Sequence, residues 1–107
     1  MTRIKESDWK IFKEIRDKAI DQFYVLSLEE FKEIVNNDSR HPQERYQQLY
    51  DSIQHKKKDV RNIFGYLRRS DAYTQLTAIR CNNLADKALL AKLSEEVLKI
   101  TDPERDW

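Results

Sequence analysis

The sequence predicts an all-α fold, and three features indicate it. The 107 residues include one glycine and two prolines, the residues that most often interrupt helices. Apolar residues recur every three or four positions, which is the spacing of one helix face. Charged residues make up 36% of the chain, but two Trp, five Tyr and four Phe accompany them, unlike in disordered chains. We expect a compact, partly orthogonal array of five to six short helices around one core.

The first 35 residues predict two helices with a break between them. The first begins after Ser7, a favourable N-cap, and the second covers residues 28–35. The break is placed at Ser27, because Ser27 and Glu30 have the spacing of a capping box. The inward-facing residues of both segments are expected to be Trp9, Phe12, Ile15, Ala19, Phe23, Phe31, Ile34 and Val35.

The middle of the chain predicts a third helix and a further segment. Residues 36–40 are turn formers, and Pro42 suits the first position of a helix. This helix is expected to end at residues 55–58, since positive charge is favourable at a helix C-terminus. Asp59 then caps the next segment, which Gly65 interrupts. The faces of the two segments are expected to hold Tyr46, Leu49, Tyr50 and Ile53, then Val60, Ile63, Phe64 and Leu67.

The last third predicts three shorter helices. The first opens at Ser70 and Asp71 and ends at Asn82 and Asn83, which tolerate left-handed backbone geometry. The other two are capped by Asp86 and Ser94, and Asp102 and Pro103 end the last one. We expect a single domain over residues 1–107, with a loose tail at about 103–107. Its core is expected to include Phe12, Leu49, Ile63, Leu76 and Leu93.

Cysteine content and hydropathy limit the compartment and the class of protein. Cys81 is the one cysteine, so an internal disulfide is excluded, and we expect it to be a small buried residue of its helix. Neither an apolar segment near Met1 nor an apolar run of about 18 residues is present, so no signal peptide or membrane span is expected. We expect a cytoplasmic protein.

The sequence carries none of the motifs that usually identify a catalytic or metal site. His41, His55 and Cys81 are far apart, without the ligand spacing of zinc or di-iron sites. A glycine-rich phosphate loop and a nucleophile turn are also missing. We therefore expect neither enzymatic activity, nor a cofactor, nor a bound metal.

A basic-aromatic stretch at residues 56–73 is the first candidate functional surface. The net charge is +4 over residues 41–80, against −1 before and −2 after that segment. Cations among aromatics suit phosphate contact with base stacking, and Arg with Tyr equally suits protein interfaces. An ordinary solvated helix end is the third interpretation. The candidate residues are Lys56, Lys57, Lys58, Arg61, Tyr66, Arg68, Arg69 and Tyr73.

A second candidate surface is the pair Tyr46 and Tyr50, one helical turn apart. Core packing with the hydroxyls at the rim is the interpretation that we favour for this pair. Our leading functional hypothesis is a non-catalytic protein-interaction or regulatory module, which could bind a copy of itself. The alternative is binding of nucleic acid or another polyanion through the basic-aromatic stretch.

Three blocks of sequence resemble short bacterial proteins of the same length and order of blocks, for which no activity is assigned. The blocks are SDWKIFKEIRDKAIDQF, HPQERYQQLYDSIQHKKKDV and RRSDAYTQLTAIRCNNLADKALL. The resemblance implies a bacterial, all-helical, single-domain protein. It implies no cofactor and no site residues.

Overall fold

A computed structural model describes residues 3–105, and 73% of the chain is helical. The described residues form no strand, so the all-α prediction is confirmed. A single 3-10 turn at Arg69–Asp71 precedes the third α-helix. The α-helices are α1 (Glu6–Val35), α2 (Pro42–Ile63), α3 (Ala72–Cys81), α4 (Lys87–Leu90) and α5 (Glu95–Ile100).

The first two predicted helices are one continuous helix of 30 residues, α1. Ser27 is buried inside it, and its hydroxyl donates to the Phe23 carbonyl at 2.7 Å. A serine that bonds back to the carbonyl four residues earlier remains compatible with a helix interior, so the predicted capping box at Ser27 is wrong. The N-cap prediction for Ser7 is also wrong, because α1 begins at Glu6 after Lys5.

Helix α2 likewise runs through its predicted end and includes residues 55–59. Its positive charges lie along the helix, and one of them pairs with α1, since Lys56 Nζ lies 2.8 Å from Glu30 Oε2. Asp59 is therefore a helix-interior residue and not a cap. The predicted interruption at Gly65 is confirmed, since α2 ends at Ile63 and Gly65 has a φ of +52°.

Helices α1 and α2 form a long antiparallel hairpin. In the turn, the Arg45 guanidinium donates to the Val35 carbonyl at 2.7 Å, which closes the far end. The molecule measures 53 × 25 × 24 Å with a radius of gyration of 16.8 Å, against about 13 Å for a compact chain of this length. The array is thus more elongated than expected, because α1 alone is about 45 Å long.

The hydrophobic core lies at one end of this hairpin. There the N-terminal half of α1 and the end of α2 pack against α3, α4 and α5. The predicted core residues Phe12, Ile63, Leu76 and Leu93 are members of it. Leu49 is half-buried and lies outside it, because α3 to α5 do not cover the distal half of the hairpin.

The predicted ends of the C-terminal helices are confirmed. The Asp86 carboxylate accepts from the Leu89 N–H at 2.9 Å, and the Ser94 hydroxyl accepts from the Val97 N–H at 3.4 Å. Asn83 has the left-handed φ of 57° expected after α3. Beyond α5, residues 102–105 form a turn, while residues 106 and 107 of the predicted tail lie outside the described residues.

Candidate functional site

The distal half of α1 carries an apolar row that no other element covers. Tyr24, Leu28, Phe31 and Val35 follow one another at intervals of four, three and four residues, so they lie on one side of the helix. Leu28 is 65% exposed, Tyr24 and Val35 are about half exposed, and Phe31 is half-buried. A row of three exposed large apolar side chains and one half-buried one is unusual for a monomer surface.

Helix α2 carries a matching row. Tyr46, Tyr50 and Ile53 are spaced by four and three residues, and Tyr46 and Tyr50 are 73% and 53% exposed. The prediction that both tyrosines pack in the core is therefore wrong. They lie too far along the hairpin for α3, α4 or α5 to reach them, so their rings face solvent.

The two rows lie on the same side of the hairpin. They border a groove of about 320 Å³ to which α1 contributes Tyr24 and Phe31 and α2 contributes Ile53 and Lys57. Leu28 and Val35 follow Tyr24 and Phe31 by one turn, and Tyr46 and Tyr50 precede Ile53 on its own row. We call this surface the hairpin face and define it as Tyr24, Leu28, Phe31, Val35, Tyr46, Tyr50 and Ile53.

Polar contacts fix the two helices beneath this surface. The Lys56 ammonium pairs with Glu30 and lies 5.8 Å from the centroid of the Phe23 ring. Ser27 is buried between the rows and satisfies its hydroxyl within α1. These contacts join α1 to α2 close to the hairpin face.

The opposite side of the hairpin is polar. Its groove of about 520 Å³ is lined by eight residues, among which Gln47 donates to Asp51 at 2.9 Å. His55 lies there beside Asp51, yet residues 3–105 contain no group of three or more side chains that could hold a metal ion. The lining residues are Glu30, Glu44, Gln47, Gln48, Asp51, Ser52, His55 and Lys56.

The structure separates the residues of the basic-aromatic stretch. Three of its cations pair with carboxylates: Lys56 with Glu30 at 2.8 Å, Arg68 with Asp71 at 3.5 Å, and Arg69 with Glu6 at 2.7 Å. Arg69 also donates to the Ile4 carbonyl and lies over the Trp9 ring. These contacts direct Lys56 toward α1 and Arg69 toward the start of α1.

The other members of the stretch also point in different directions. Lys57, Lys58 and Arg61 are exposed, and Lys57 borders the groove of the hairpin face. Tyr66 is 79% exposed with the Arg68 guanidinium 5.9 Å from its ring centroid.

Tyr73, the last member of the stretch, lies against the core. Burial, together with the charges of Glu96 and Asp8, raises the pKa of its hydroxyl above the ordinary value. Its surroundings are therefore apolar and acidic, and they differ from those of the exposed cations on α2. Tyr66 and Arg68 form a small exposed pair, and Tyr73 is not part of it.

Cys81 is exposed, so the prediction that it is buried is wrong. The core face of α3 is formed by Leu76 and Ile79, and a residue two positions after Ile79 points to the other side of a helix. Leu67 is likewise 46% exposed and not inward-facing, because it follows the end of α2 at Ile63.

Sequence reasoning missed the row on α1, although a signal for it is present. Residues 23, 27 and 34 form one row toward α2, and residues 24, 28, 31 and 35 form a second one beside it. Packing against one neighbouring helix requires a single row of apolar residues. The second apolar row on α1 therefore indicates a further contact.

Within residues 3–105, no helix is both long and apolar enough to cross a membrane. No model of a known protein family matches the chain, and no curated protein and no solved structure matches it either. The resemblance to short bacterial proteins therefore stays a prediction, and the functional argument depends on the geometry of the hairpin.

Proposed function

We propose that this protein is a non-catalytic protein-interaction or regulatory module that docks through the hairpin face. The observation that carries this proposal is an uncovered apolar surface on two projecting helices. Aromatic side chains have about 150–250 Å² each, so the exposed fractions of the hairpin face amount to about 600 Å². Apolar patches of this size on a soluble monomer are often interaction sites.

The chemistry of the hairpin face suits a helical protein partner. Rows with intervals of three and four residues match the spacing by which helices pack side by side. Tyr24, Tyr46 and Tyr50 add large contact areas with few rotatable bonds, so little conformational entropy is lost when they are covered. The groove between the rows extends over about two turns of each helix, residues 23–31 of α1 and 53–60 of α2, which suits a helix.

Contacts between the two helices of the hairpin further support docking. The Lys56–Glu30 pair and the bond from Arg45 to the Val35 carbonyl fix α1 against α2 at two levels. A preformed surface avoids part of the ordering cost of association. We further propose that the module acts in the cytoplasm, since an exposed lone thiol is compatible with a reducing compartment.

Site-specific photo-crosslinking in cells tests the proposal. A photoreactive phenylalanine analogue is placed at position 46 on the hairpin face or at position 66, where Tyr66 is similarly exposed but distant from that face. The proposal predicts crosslinked protein adducts from position 46 and not from position 66. Adducts from position 66 alone would favour the basic-aromatic stretch, and an absence of adducts from both positions would contradict docking.

A second candidate function is binding of nucleic acid or another polyanion through the basic-aromatic stretch. It is supported by Lys57, Lys58 and Arg61, which are exposed on two successive turns of α2 and enter no ion pair within residues 3–105. Binding through phosphates weakens steeply as salt rises. Titration with single-stranded RNA at 50 and 200 mM salt tests polyanion binding. Absence of binding at 50 mM salt would contradict this alternative.

A further inference from the structure

We propose that the partner on the hairpin face is a second copy of this chain. Two hairpins would pack face to face as a four-helix bundle, with a two-fold axis along the hairpin that places α1 of one copy against α2 of the other. This inference rests on the proposed function and specifies its partner. It is supported by the shape, the area, the charges and the accessibility of the hairpin face.

The shape of the face favours a second hairpin over a single helix. A single helix in the groove between Phe31 and Ile53 would cover the inner edges of both rows. It would leave the outer sides of Tyr46 and Leu28 exposed, and these are the most exposed members of the face. A second pair of helices covers both rows at once, as in antiparallel four-helix bundles.

The area is also close to what a symmetric dimer needs. Standard interfaces bury about 800 Å² per partner, and the apolar part of the hairpin face supplies about 600 Å² of that. Lys57 and the polar residues that flank the rows would supply the remaining rim. Each copy would contribute the same surface, as a two-fold interface requires.

Charges at the base of the face select the orientation. On α1 the row continues toward the core with the exposed Asp17 and Asp21, and on α2 it continues with the exposed Lys57 and Arg61. The ring contact between Phe23 and Phe64, together with the Lys56–Glu30 pair, sets the register of the two helices.

This register places Asp21 about 6–7.5 Å along the hairpin from the level of Arg61. A two-fold axis along the hairpin brings the acidic end of each α1 opposite the basic end of the partner α2. A two-fold axis across the hairpin would instead place α1 against α1 and lose this complementarity.

The remainder of the molecule leaves room for the second copy. The core side of α1 carries Phe12, Ile15 and Ala19, all fully buried against the other helices. Asp17 lies two residues from both Ile15 and Ala19, so it points away from the core. The body formed by α3, α4 and α5 therefore lies behind the hairpin face, and residues 83–86 reach only its edge, where they border a groove with Asp21.

Sedimentation velocity of the purified full chain tests self-association. We expect a dimer at micromolar concentrations, and we expect Leu28→Lys and Tyr46→Lys each to raise the dimer dissociation constant at least about tenfold. Tyr66→Lys is the matched control and should leave it unchanged. Both face variants replace exposed side chains, so circular dichroism should show native helix content. A monomer at several hundred micromolar, or equal dimers for all three variants, would overturn the inference.

Disulfide trapping tests the orientation in a Cys81→Ser background. Val35→Cys mixed with Tyr50→Cys should give a crosslinked dimer, because the register places Val35 of one α1 at the level of Tyr50 on the opposing α2. A mixture of Val35→Cys and Tyr24→Cys should give no crosslinked dimer, because both positions lie on α1. Crosslinking of only the second mixture would overturn the orientation along the hairpin.

Failure of this inference can be distinguished from failure of the proposed function. A monomeric protein whose position 46 crosslinks to a different protein in cells would overturn self-association and leave docking through the hairpin face intact. A monomeric protein without adducts at position 46 would overturn both.

Discussion

Asp8 and Ser94 are separated by 86 residues in the chain and join the start of α1 to the start of α5. Asp8 Oδ1 accepts from the Ser94 N–H at 2.9 Å, and Asp8 Oδ2 accepts from the Ser94 hydroxyl at 2.8 Å. The same hydroxyl accepts from the Val97 N–H, so one carboxylate orients the cap of the last helix. Asp8 is only 2% exposed, so the two Ser94 donors take the place of water as its hydrogen-bond partners.

Loss of this carboxylate should destabilise the fold. We expect Asp8→Ala to lower the free energy of unfolding by about 1–3 kcal/mol, because it leaves the partly buried donors of Ser94 without their acceptor. Asp8→Asn should lose less, since its amide oxygen still accepts one bond. The exposed Glu14→Ala on the same helix should change stability by less than about 0.5 kcal/mol. Urea denaturation measures all three, and equal losses for Asp8→Ala and Glu14→Ala would contradict this account.

Gln75 fixes the segment after α2, and its removal should loosen that segment. Its Oε1 accepts from Arg16 Nε at 3.3 Å and its Nε2 donates to the Tyr66 carbonyl, while Arg16 also donates to the Gly65 carbonyl at 3.2 Å.

We expect Gln75→Ala to lower the free energy of unfolding by about 1–3 kcal/mol and to speed cleavage by trypsin at Arg68. Thr74→Ala, at an exposed neighbour, is the control. Equal cleavage rates for the two variants would show that Gln75 does not hold the segment.

The cap of α4 should weaken in acid. The hydrogen bond from the Leu89 N–H and the contact with the Lys18 ammonium lower the pKa of Asp86 below its ordinary value. A lowered pKa in the folded state means that the ionised carboxylate stabilises the fold above the ordinary pKa. This contribution is lost as the pH falls through the lowered value.

The stability advantage of the wild type over Asp86→Asn should therefore be constant near neutral pH and shrink below about pH 4. Urea denaturation between pH 7 and pH 3 measures it, and NMR titration of the carboxyl gives the pKa directly. An advantage that is unchanged at pH 3 would contradict the role of ionised Asp86.

Local signals predicted the C-terminal third well. Asp86, Ser94 and Asn83 act within one turn of the chain, so their roles depend little on the rest of the fold. The prediction for Ser27 is wrong because a serine can either cap a helix or donate to a carbonyl of the preceding turn inside a helix. The choice depends on whether the following turn packs against α2, and residues 27 to 30 do not contain that information.

Long-range placement explains the remaining errors. Helix α2 continues past Lys56 to Val60 and Ile63, which pack with the core, and Lys56 pairs with Glu30 on α1. Apolar spacing identified Tyr46 and Tyr50 as one face, but spacing is the same for a core face and for a docking face. Whether the face of Tyr46 and Tyr50 is buried or exposed depends on how far α3, α4 and α5 extend along the hairpin. The sequence prediction also makes α1 and α2 too short.

Hydrogen exchange at low and high protein concentration, read by mass spectrometry, tests most directly whether copies of this chain associate through the hairpin face. We expect slower exchange at high concentration in residues 24–35 and 46–53, and equal exchange at both concentrations in residues 66–73. Slowing confined to residues 66–73, or no slowing anywhere, would contradict this association.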